Sequence, residues 1–170
     1  MNPKTLFAGK PAPTQSAPGG GRILLPFTSQ AISRRAFDAA IRIAQIEGAT
    51  LIPAFLARVP RNLPLESPLP GACTVGMPLL EAIEQRAHAE GIPVDARVSR
   101  GRTYRDALQH LLDEEHFDRV IVSATDNPHE GLREDDLTWL LRTAPAEILI
   151  LRPAPDDERS ISATGLHGHF

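Results

Sequence analysis

Short apolar runs alternate with amphipathic stretches through the middle of the chain. Most of the runs are rich in β-branched and aliphatic residues, as in parallel strands that are buried on both faces of a sheet. In the stretches between them, apolar residues recur every three or four positions, as in helices that cover a sheet. The five predicted strands span 22–27, 49–57, 94–99, 119–124 and 147–151.

Four helices are predicted between these strands, and capping residues mark several of their ends. The first begins near Ser33 and stops at Gly48. Thr103 opens the third, with a carboxylate at capping-box spacing. Asp135 or Asp136 is expected to cap the fourth, because acidic residues suit the positive end of a helix. The predicted helices span 33–48, 77–89, 103–115 and 135–143.

The alternation of strands and helices predicts an α/β fold. Its expected form is a doubly wound five-stranded parallel sheet with helices on both faces. Pro53 lies inside the second strand, where a bulge or local break is expected because proline cannot donate a hydrogen bond. Segment 58–78 contains Pro60, Pro64, Pro68, Pro70 and Pro78 and is predicted to be a long loop, which is typical of a mobile or functional segment.

Composition limits the class of protein. With 170 residues, 42% hydrophobic and 23% charged, the chain is expected to hold one folded domain, 22–152, between flexible tails at 1–21 and 153–170. A net charge of -3 argues against a general nucleic-acid binder. There is no apolar run long enough for a signal peptide or a membrane span, so a cytoplasmic protein without membrane contact is expected. Cys73 is the only cysteine, which excludes an intramolecular disulfide and a zinc site built on several thiolates.

Three stretches resemble the universal stress protein family. The sequence LLRTAPAEILILR at 140–152 resembles the family's last helix, Ala-Pro turn and final strand. The sequences ILLPF at 23–27 and EGIPV at 90–94 resemble its opening strand and an internal turn. The resemblance covers the whole predicted domain and implies an adenine-nucleotide alpha-hydrolase-like sheet with strand order 3-2-1-4-5.

The residues with which members of that family bind ATP are missing. Those members carry an acid after the first strand and a glycine motif after the fourth. The acid falls on Thr28, and the first glycines fall on Ala124 and Asn127. The final glycine and hydroxyl residue fall on Glu134 and Asp135, where carboxylates would repel phosphate. The resemblance therefore implies a member that does not bind ATP, and no cofactor is expected.

The preferred function is that of a non-enzymatic domain in stress response or regulation that acts through a homodimer and a protein partner. In the implied sheet the last strand is an apolar edge, which invites pairing with a second copy. The partner would bind the loop at 58–78. The residues of the expected dimer edge are Ile148, Leu149, Ile150 and Leu151.

The alternative is a nucleotide or small-anion sensor with a non-standard pocket at the ends of strands one and four. Its residues would be Pro26, Thr28, Ala124 and Asn127. Four arginines near Gly101 could assist in binding an anion, although a solvated edge is the more common arrangement. These are Arg97, Arg100, Arg102 and Arg105.

Neither a metal site nor a catalytic site is predicted. Glu134, Asp135 and Asp136 are adjacent on one helix, so their side chains point in different directions, and capping acids are expected rather than metal ligands. Cys73 has no neighbouring base in the sequence to activate it. The pair His167 and His169 lies in the predicted tail and is interpreted as incidental.

Overall fold

The computed structural model describes residues 20–28, 32–124, 132–152 and 160–161. Seven strands and four helices lie in these ranges. In chain order they are β1 (Arg22–Thr28), β2 (Ile32–Ser33), α1 (Arg34–Glu47), β3 (Thr50–Arg58), α2 (Pro70–Ala89), β4 (Arg97–Gly101), α3 (Tyr104–Glu114), β5 (Arg119–Ser123), α4 (Glu134–Thr143), β6 (Glu147–Leu151) and β7 (Ser160–Ile161).

Five of the strands form one parallel sheet in the order β4-β3-β1-β5-β6. This order is the predicted 3-2-1-4-5, so the predicted fold class is confirmed. The two-residue strands β2 and β7 form a separate antiparallel pair.

The sheet separates two hydrophobic clusters, because successive side chains of a strand point to opposite faces. Leu25 and Phe27 of β1 pack with α1 and α2 on one face. Leu24, which precedes Leu25 and so points to the opposite face, packs with α3 and α4 on the other. Both faces are thus covered by helices, as the sequence predicts.

Helix α1 has the predicted ends. The Ser33 hydroxyl accepts a hydrogen bond from the Ala36 amide at 3.4 Å, and Gly48 ends the helix with φ of 62°, a conformation that favours glycine. The predicted apolar stripe is buried: Phe37, Ala40, Ile41 and Ala44.

Helix α2 begins earlier than predicted. It begins at Pro70, a favoured residue for the first helical position, rather than at Met77 or Pro78. Pro78 lies inside the helix, where it cannot donate to the Thr74 carbonyl. The predicted loop at 58–78 is therefore wrong in extent, and the connection between β3 and α2 is only 59–69.

Pro53 does not break its strand, contrary to the prediction. It stays in register opposite Leu25 of β1 in an unbroken β3. On the other side of β3, Leu51 forms an isolated bridge with Val94, and the ladder with β4 resumes only at Ala54, in the same register. The Leu51 amide donates to this side, and the backbone groups of Pro53, two residues later, point the same way. The proline nitrogen, which has no hydrogen to donate, therefore faces the gap between the Leu51 bridge and the β4 ladder. No hydrogen bond of the ladder is lost there.

The starts of α3 and α4 use acids at the third helical position. The Thr103 amide donates to the Asp106 carboxylate at 2.9 Å, and the Asp106 amide donates to the Thr103 hydroxyl at 3.0 Å, which confirms the predicted capping box. At α4 the capping residue is Arg133, whose amide donates to the Asp136 carboxylate at 3.3 Å. The prediction of Asp135 or Asp136 as the cap itself is wrong by two or more positions.

Most of the predicted tails lie outside the described residues, as do Asn127 and the pair His167 and His169. Two residues of the C-terminal tail are an exception, since Ser160–Ile161 forms β7 and pairs with β2. None of the helices in the described ranges is long and apolar enough to cross a membrane.

Candidate functional site

The sheet reverses its strand order at β1. From β1 the chain moves to β3 on one side and later returns to β5 on the other. In doubly wound sheets, ligands bind beyond the carboxyl ends of the strands at such a point. The corresponding place here is bounded by the end of β1, the end of β5 and the start of α1.

A cavity of about 40 Å³ lies at this place. Pro26 and Thr28, two of the predicted site residues, line it. Ala124 directly follows β5 and forms a bridge with Leu132, which also lines the cavity. Asn127 lies outside the described residues. The lining consists of Leu25, Pro26, Phe27, Thr28, Ile32, Ser33, Ala36, Leu56, Val122, Ser123 and Leu132.

The walls are mostly large apolar side chains that belong to the core. Phe27 and Ile32 are part of the cluster under α1 and α2. Leu56, Val122 and Leu132 are part of the cluster under α3 and α4. Pockets for small organic ligands measure about 300–1,000 Å³, whereas one water needs only about 10–15 Å³. The space between the described residues therefore fits water molecules and is much smaller than such a pocket.

One polar group in this cavity has no partner. Thr28 is 1% exposed, and its hydroxyl oxygen makes no hydrogen bond with any described residue. A buried hydroxyl without a partner costs about 1–3 kcal/mol. Such a group points either to a bound water or ligand or to a position at which an apolar side chain would be more stable.

The start of α1 adds positive charge next to the cavity. Ser33 and Ala36, from the first turn of this helix and its cap, line the cavity wall. The first turn also carries Arg34 and Arg35 and no acidic residue, and Asp38 in the next turn pairs with Arg34 at 3.8 Å. Because the amino end of a helix is itself positive, this end of α1 favours anions. From the sequence, a cap is the favoured role of Ser33, and nothing in the sequence marks Ile32, Leu56 or Leu132 as walls.

The four arginines near Gly101 do not form a common anion site. Arg97 lies between two carboxylates: its Nε donates to Glu115 Oε1 at 2.7 Å, and its Nη2 donates to Asp95 Oδ2 at 2.8 Å. The hydrogen bond with Asp95 and then that with Glu115 raise the pKa of Arg97 above its ordinary value. Arg105 donates to Asp136 at 3.0 Å, and its guanidinium lies 5.6 Å from the centre of the Trp139 ring.

Arg100 and Arg102 hold the 59–69 connection instead. Arg102 donates to the carbonyl oxygens of Pro60 at 2.6 Å and Leu63 at 2.8 Å. Arg100 donates to the Ser67 carbonyl oxygen at 3.1 Å. The predicted solvated edge is therefore also wrong for these two side chains, which stabilise the backbone of a loop.

Of the three carboxylates at the start of α4, Asp136 is used within the fold. Asp136 accepts from the Arg133 amide and from Arg105, while Glu134 and Asp135 are exposed. Within the described ranges, no three His, Cys, Asp or Glu side chains lie close enough together to hold a metal ion. Cys73 is half-buried in α2.

Strand β6 is an edge of the sheet, as predicted. Its four apolar residues, Ile148 to Leu151, are each partly exposed. The Glu147 amide donates to the Asp118 carbonyl at 3.0 Å, and the Leu151 carbonyl accepts from the Ala124 amide at 2.8 Å. Residues 147, 149 and 151 thus direct their backbone groups toward β5, so those of Ile148 and Ile150 face the open edge.

Comparisons with known proteins identify the fold. No family model and no curated protein matches the chain. Among solved structures, it is similar to a universal stress protein in complex with cAMP, at 21% identity and a TM-score of 0.56 over 80% of this chain and 99% of that one. A universal stress protein family member from Burkholderia pseudomallei matches at 18% identity and a TM-score of 0.59, over 79% of this chain and 96% of that one.

An Arabidopsis thaliana member with AMP bound matches at 14% identity and a TM-score of 0.58, over 82% of this chain and 95% of that one. At these identities the likeness concerns the fold, which is also the fold that the strand order and the sequence motifs indicate. The described domain therefore has the fold of the universal stress proteins.

Proposed function

We propose that this chain is a non-enzymatic regulatory domain that does not bind ATP and acts as a homodimer with a protein partner. The observation that supports it best is the cavity at the switch point. Its volume of about 40 Å³ and its walls of Phe27, Ile32, Leu56 and Leu132 leave no room for an adenine ring or a triphosphate.

Charge at the start of α4 supports the same proposal. A triphosphate bound at a helix start needs free amides and no nearby negative charge. Here Glu134, Asp135 and Asp136 occupy the first turn of α4. Asp136 is paired with Arg105, and the exposed carboxylates of Glu134 and Asp135 would repel the phosphates.

Open backbone groups at β6 support dimer formation. The other edge strand, β4, carries Arg97 and Arg100, and charged residues at a sheet edge oppose pairing with another chain. Strand β6 has no charge between Ile148 and Leu151, and its outward backbone groups are unpaired within the sheet. A second copy could extend the sheet at this edge.

The partner surface that we propose joins the 59–69 connection to the first half of α2. Leu63, Val75 and Met77 are exposed apolar side chains on these two segments. The hydrogen bonds from Arg100 and Arg102 hold the connection in one conformation, which lowers the entropy cost of binding.

A calorimetric and thermal-shift titration with ATP, AMP and cAMP, with and without Mg²⁺, tests the ligand part. The full chain should show no heat and no rise in Tm at millimolar ligand. A ligand that binds only the folded state raises its stability by mass action, by about 2.7 kcal/mol at a hundred times Kd. Such a rise with ATP would refute the proposal.

Ile150→Pro tests the dimer edge. Because the Ile150 amide faces outward, proline removes a donor from the edge without removing one from the ladder with β5. Sedimentation velocity should show a dimer for the original chain and a monomer for this variant, with unchanged far-UV circular dichroism. Ile46→Lys is the control, since Ile46 is 84% exposed on α1, and this variant should remain dimeric. A monomeric original chain would contradict the dimer.

A second candidate function is a sensor of a small ligand, and the unpartnered Thr28 hydroxyl favours it. The solved structures with cAMP and AMP bound show that other proteins of this fold hold nucleotides. The same titration separates the two functions. Binding of AMP or cAMP by the full chain, weakened at least tenfold in Thr28→Val, would favour the sensor.

A further inference from the structure

Strand β4 is the second edge of the sheet. The Val59 amide donates to the Gly101 carbonyl at 2.8 Å, and the Asp95 amide donates to the Leu51 carbonyl at 3.0 Å. Because the direction of the backbone groups alternates along a strand, residues 97, 99 and 101 direct theirs toward β3, and residues 98 and 100 direct theirs outward. Within the described ranges, β4 pairs with no strand other than β3.

The open side of β4 presents mainly hydrogen-bond donors. The Ala96 carbonyl, just before the strand, accepts from Arg97 Nη1 at 3.1 Å, and His110 Nδ1 lies 3.1 Å from the Arg100 carbonyl oxygen. The outward amides of Val98 and Arg100 have no strand partner among the described residues. An extended chain beside β4 could match them with its carbonyl oxygens. The Val98 side chain is 43% exposed and would add an apolar contact.

Four arginines lie at the carboxyl end of this edge. Two of them donate only to backbone carbonyls of the 59–69 connection, which carry no net charge, and the other two are exposed. None of the four forms an ion pair with a carboxylate of the described residues. Glu66 is the only acid in the connection, so positive charge predominates. The four are Arg100 in β4, Arg102 directly after it, Arg58 at the end of β3 and Arg61 in the connection.

These charges discriminate between possible strands. A second copy paired at β4 would bring the same arginines to this edge, and like charges across a pair of strands are destabilising. A strand with carboxylates would bring the opposite charge, which favours both its encounter with the edge and its register on it. The charges that oppose pairing of β4 with itself therefore favour an acidic strand.

We propose that β4 is the docking edge for an extended acidic segment of the protein partner. The segment adds a strand beside Val98, and its carboxylates lie against the arginines at the ends of β3 and β4. The edge adjoins the partner surface on the 59–69 connection, because Arg102 donates to the Leu63 carbonyl at 2.8 Å. This inference rests on the proposed function, which assigns a protein partner to the chain, and it specifies the chemistry of that partner.

The probe for this edge is a labelled nine-residue peptide in which valine alternates with glutamate. The control peptide carries lysine in place of glutamate. Binding of each peptide to the full chain is measured by fluorescence anisotropy. We expect the acidic peptide to bind at least tenfold more tightly than the control, with an affinity that falls as salt is added. Equal affinities, or no binding of the acidic peptide, would overturn the docking edge.

Two substitutions at one position separate the backbone donor from the side chain. Val98→Pro and Val98→Thr both remove the valine, but only proline removes the outward amide, and it leaves the ladder with β3 intact. Val98→Pro should bind the acidic peptide at least tenfold more weakly than Val98→Thr, with the same far-UV circular dichroism. Equal binding by the two variants would mean that the peptide does not add a strand at β4.

A second pair of variants tests the charges. Arg58→Ala with Arg61→Ala should weaken binding of the acidic peptide severalfold. Arg42→Ala with Arg142→Ala removes two exposed arginines of α1 and α4 and should leave the affinity unchanged. Equal affinities of the two double variants would contradict the role of the arginines. A single-stranded oligonucleotide that displaced the acidic peptide at equal concentration would also overturn the proposal, because the surface would then favour nucleic acid.

Hydrogen exchange of the original chain locates the bound peptide without any substitution. The amides of Val98 and Arg100 should exchange at least ten times more slowly with saturating acidic peptide, while those of Ile148 and Ile150 at the other edge remain unchanged. Protection at β6 in place of β4 would refute the docking edge. Failure of these experiments leaves the proposed function standing, since the ATP titration and the sedimentation measurement test it without a peptide.

Discussion

Gly76→Ala gives a sharp test of the first half of α2, the part of the fold where the structure departs most from the sequence prediction. In an exposed helix interior, alanine stabilises relative to glycine by about 1 kcal/mol. Gly76 is not exposed, because it faces the ring of Phe55 on β3. A β-carbon at Gly76 would lie 2.5 Å from both Cε atoms of that ring, well inside van der Waals contact.

The sign of the effect depends on whether Phe55 can move. Phe55 is 0% exposed and is among the largest fully buried side chains, so its ring cannot turn away without disturbing β3 and its neighbours. Overpacking of this kind costs about 1–3 kcal/mol. Three ring carbons within 2.5 Å place the cost in the upper part of this range, about 2–3 kcal/mol. Because the helix propensity of alanine offsets about 1 kcal/mol, Gly76→Ala should lower the free energy of unfolding by about 1–2 kcal/mol.

Urea and thermal denaturation measure this change, with Gly71→Ala as the control in the same helix. Nothing lies within 4 Å of a β-carbon at Gly71, so that variant should be neutral or more stable by up to about 1 kcal/mol. A loss of 1–2 kcal/mol corresponds to a Tm lower by about 2–8 °C in a chain of this size. If Gly76→Ala were as stable as Gly71→Ala, the contact with Phe55 and the helix from Pro70 would both be wrong.

Three other substitutions test the site and its surroundings by the same denaturation assays or by proteolysis. Thr28→Val removes the unpartnered hydroxyl at nearly constant volume and should stabilise the protein by about 1 kcal/mol; a loss of more than about 1 kcal/mol would mean that the hydroxyl has a partner. Glu115→Ala leaves Arg22 and Arg97 without their shared carboxylate and should cost about 1–3 kcal/mol, whereas Glu114→Ala, on the exposed helix end, should change stability by less than about 0.5 kcal/mol. Arg102→Ala should speed proteolytic cleavage within 59–69 severalfold relative to Arg61→Ala, and equal rates would show that the arginine does not hold this connection.

The sheet and its order could be predicted because the residues that decide them act locally. Strands β5 and β6 are apolar through most of their length, which only a doubly covered sheet explains. Helix α1 has both a continuous stripe and two end signals at Ser33 and Gly48. In such elements the spacing of the apolar residues, the capping residues and the burial of the side chains all indicate the same structure.

The elements that were not predicted depend on contacts between distant residues. The first half of α2 contains two glycines and several small residues, and it is helical although its sequence lacks a clear apolar stripe; Gly76 is there because the Phe55 ring approaches it. The pairing of β2 with β7 joins residues more than a hundred positions apart through two residues each, which leaves no periodic pattern. Arg102 donates to backbone carbonyls, which every loop has, so the sequence of the loop gives no sign of this contact.

Strand order was enough to locate the candidate site, but not to show whether it is open. The order of the strands places any ligand near Pro26 and Thr28, and that placement needs no side-chain detail. Whether the place is open depends on which core residues meet there. Beyond the end of the sheet, Phe27 from one hydrophobic cluster and Leu132 from the other line the same cavity. The two clusters, which the sheet separates elsewhere, thus meet where a ligand would bind, and each apolar residue that stabilises this contact also narrows the pocket. Stability gained at this place therefore opposes a pocket of nucleotide size, which is the physical basis of the function that we propose.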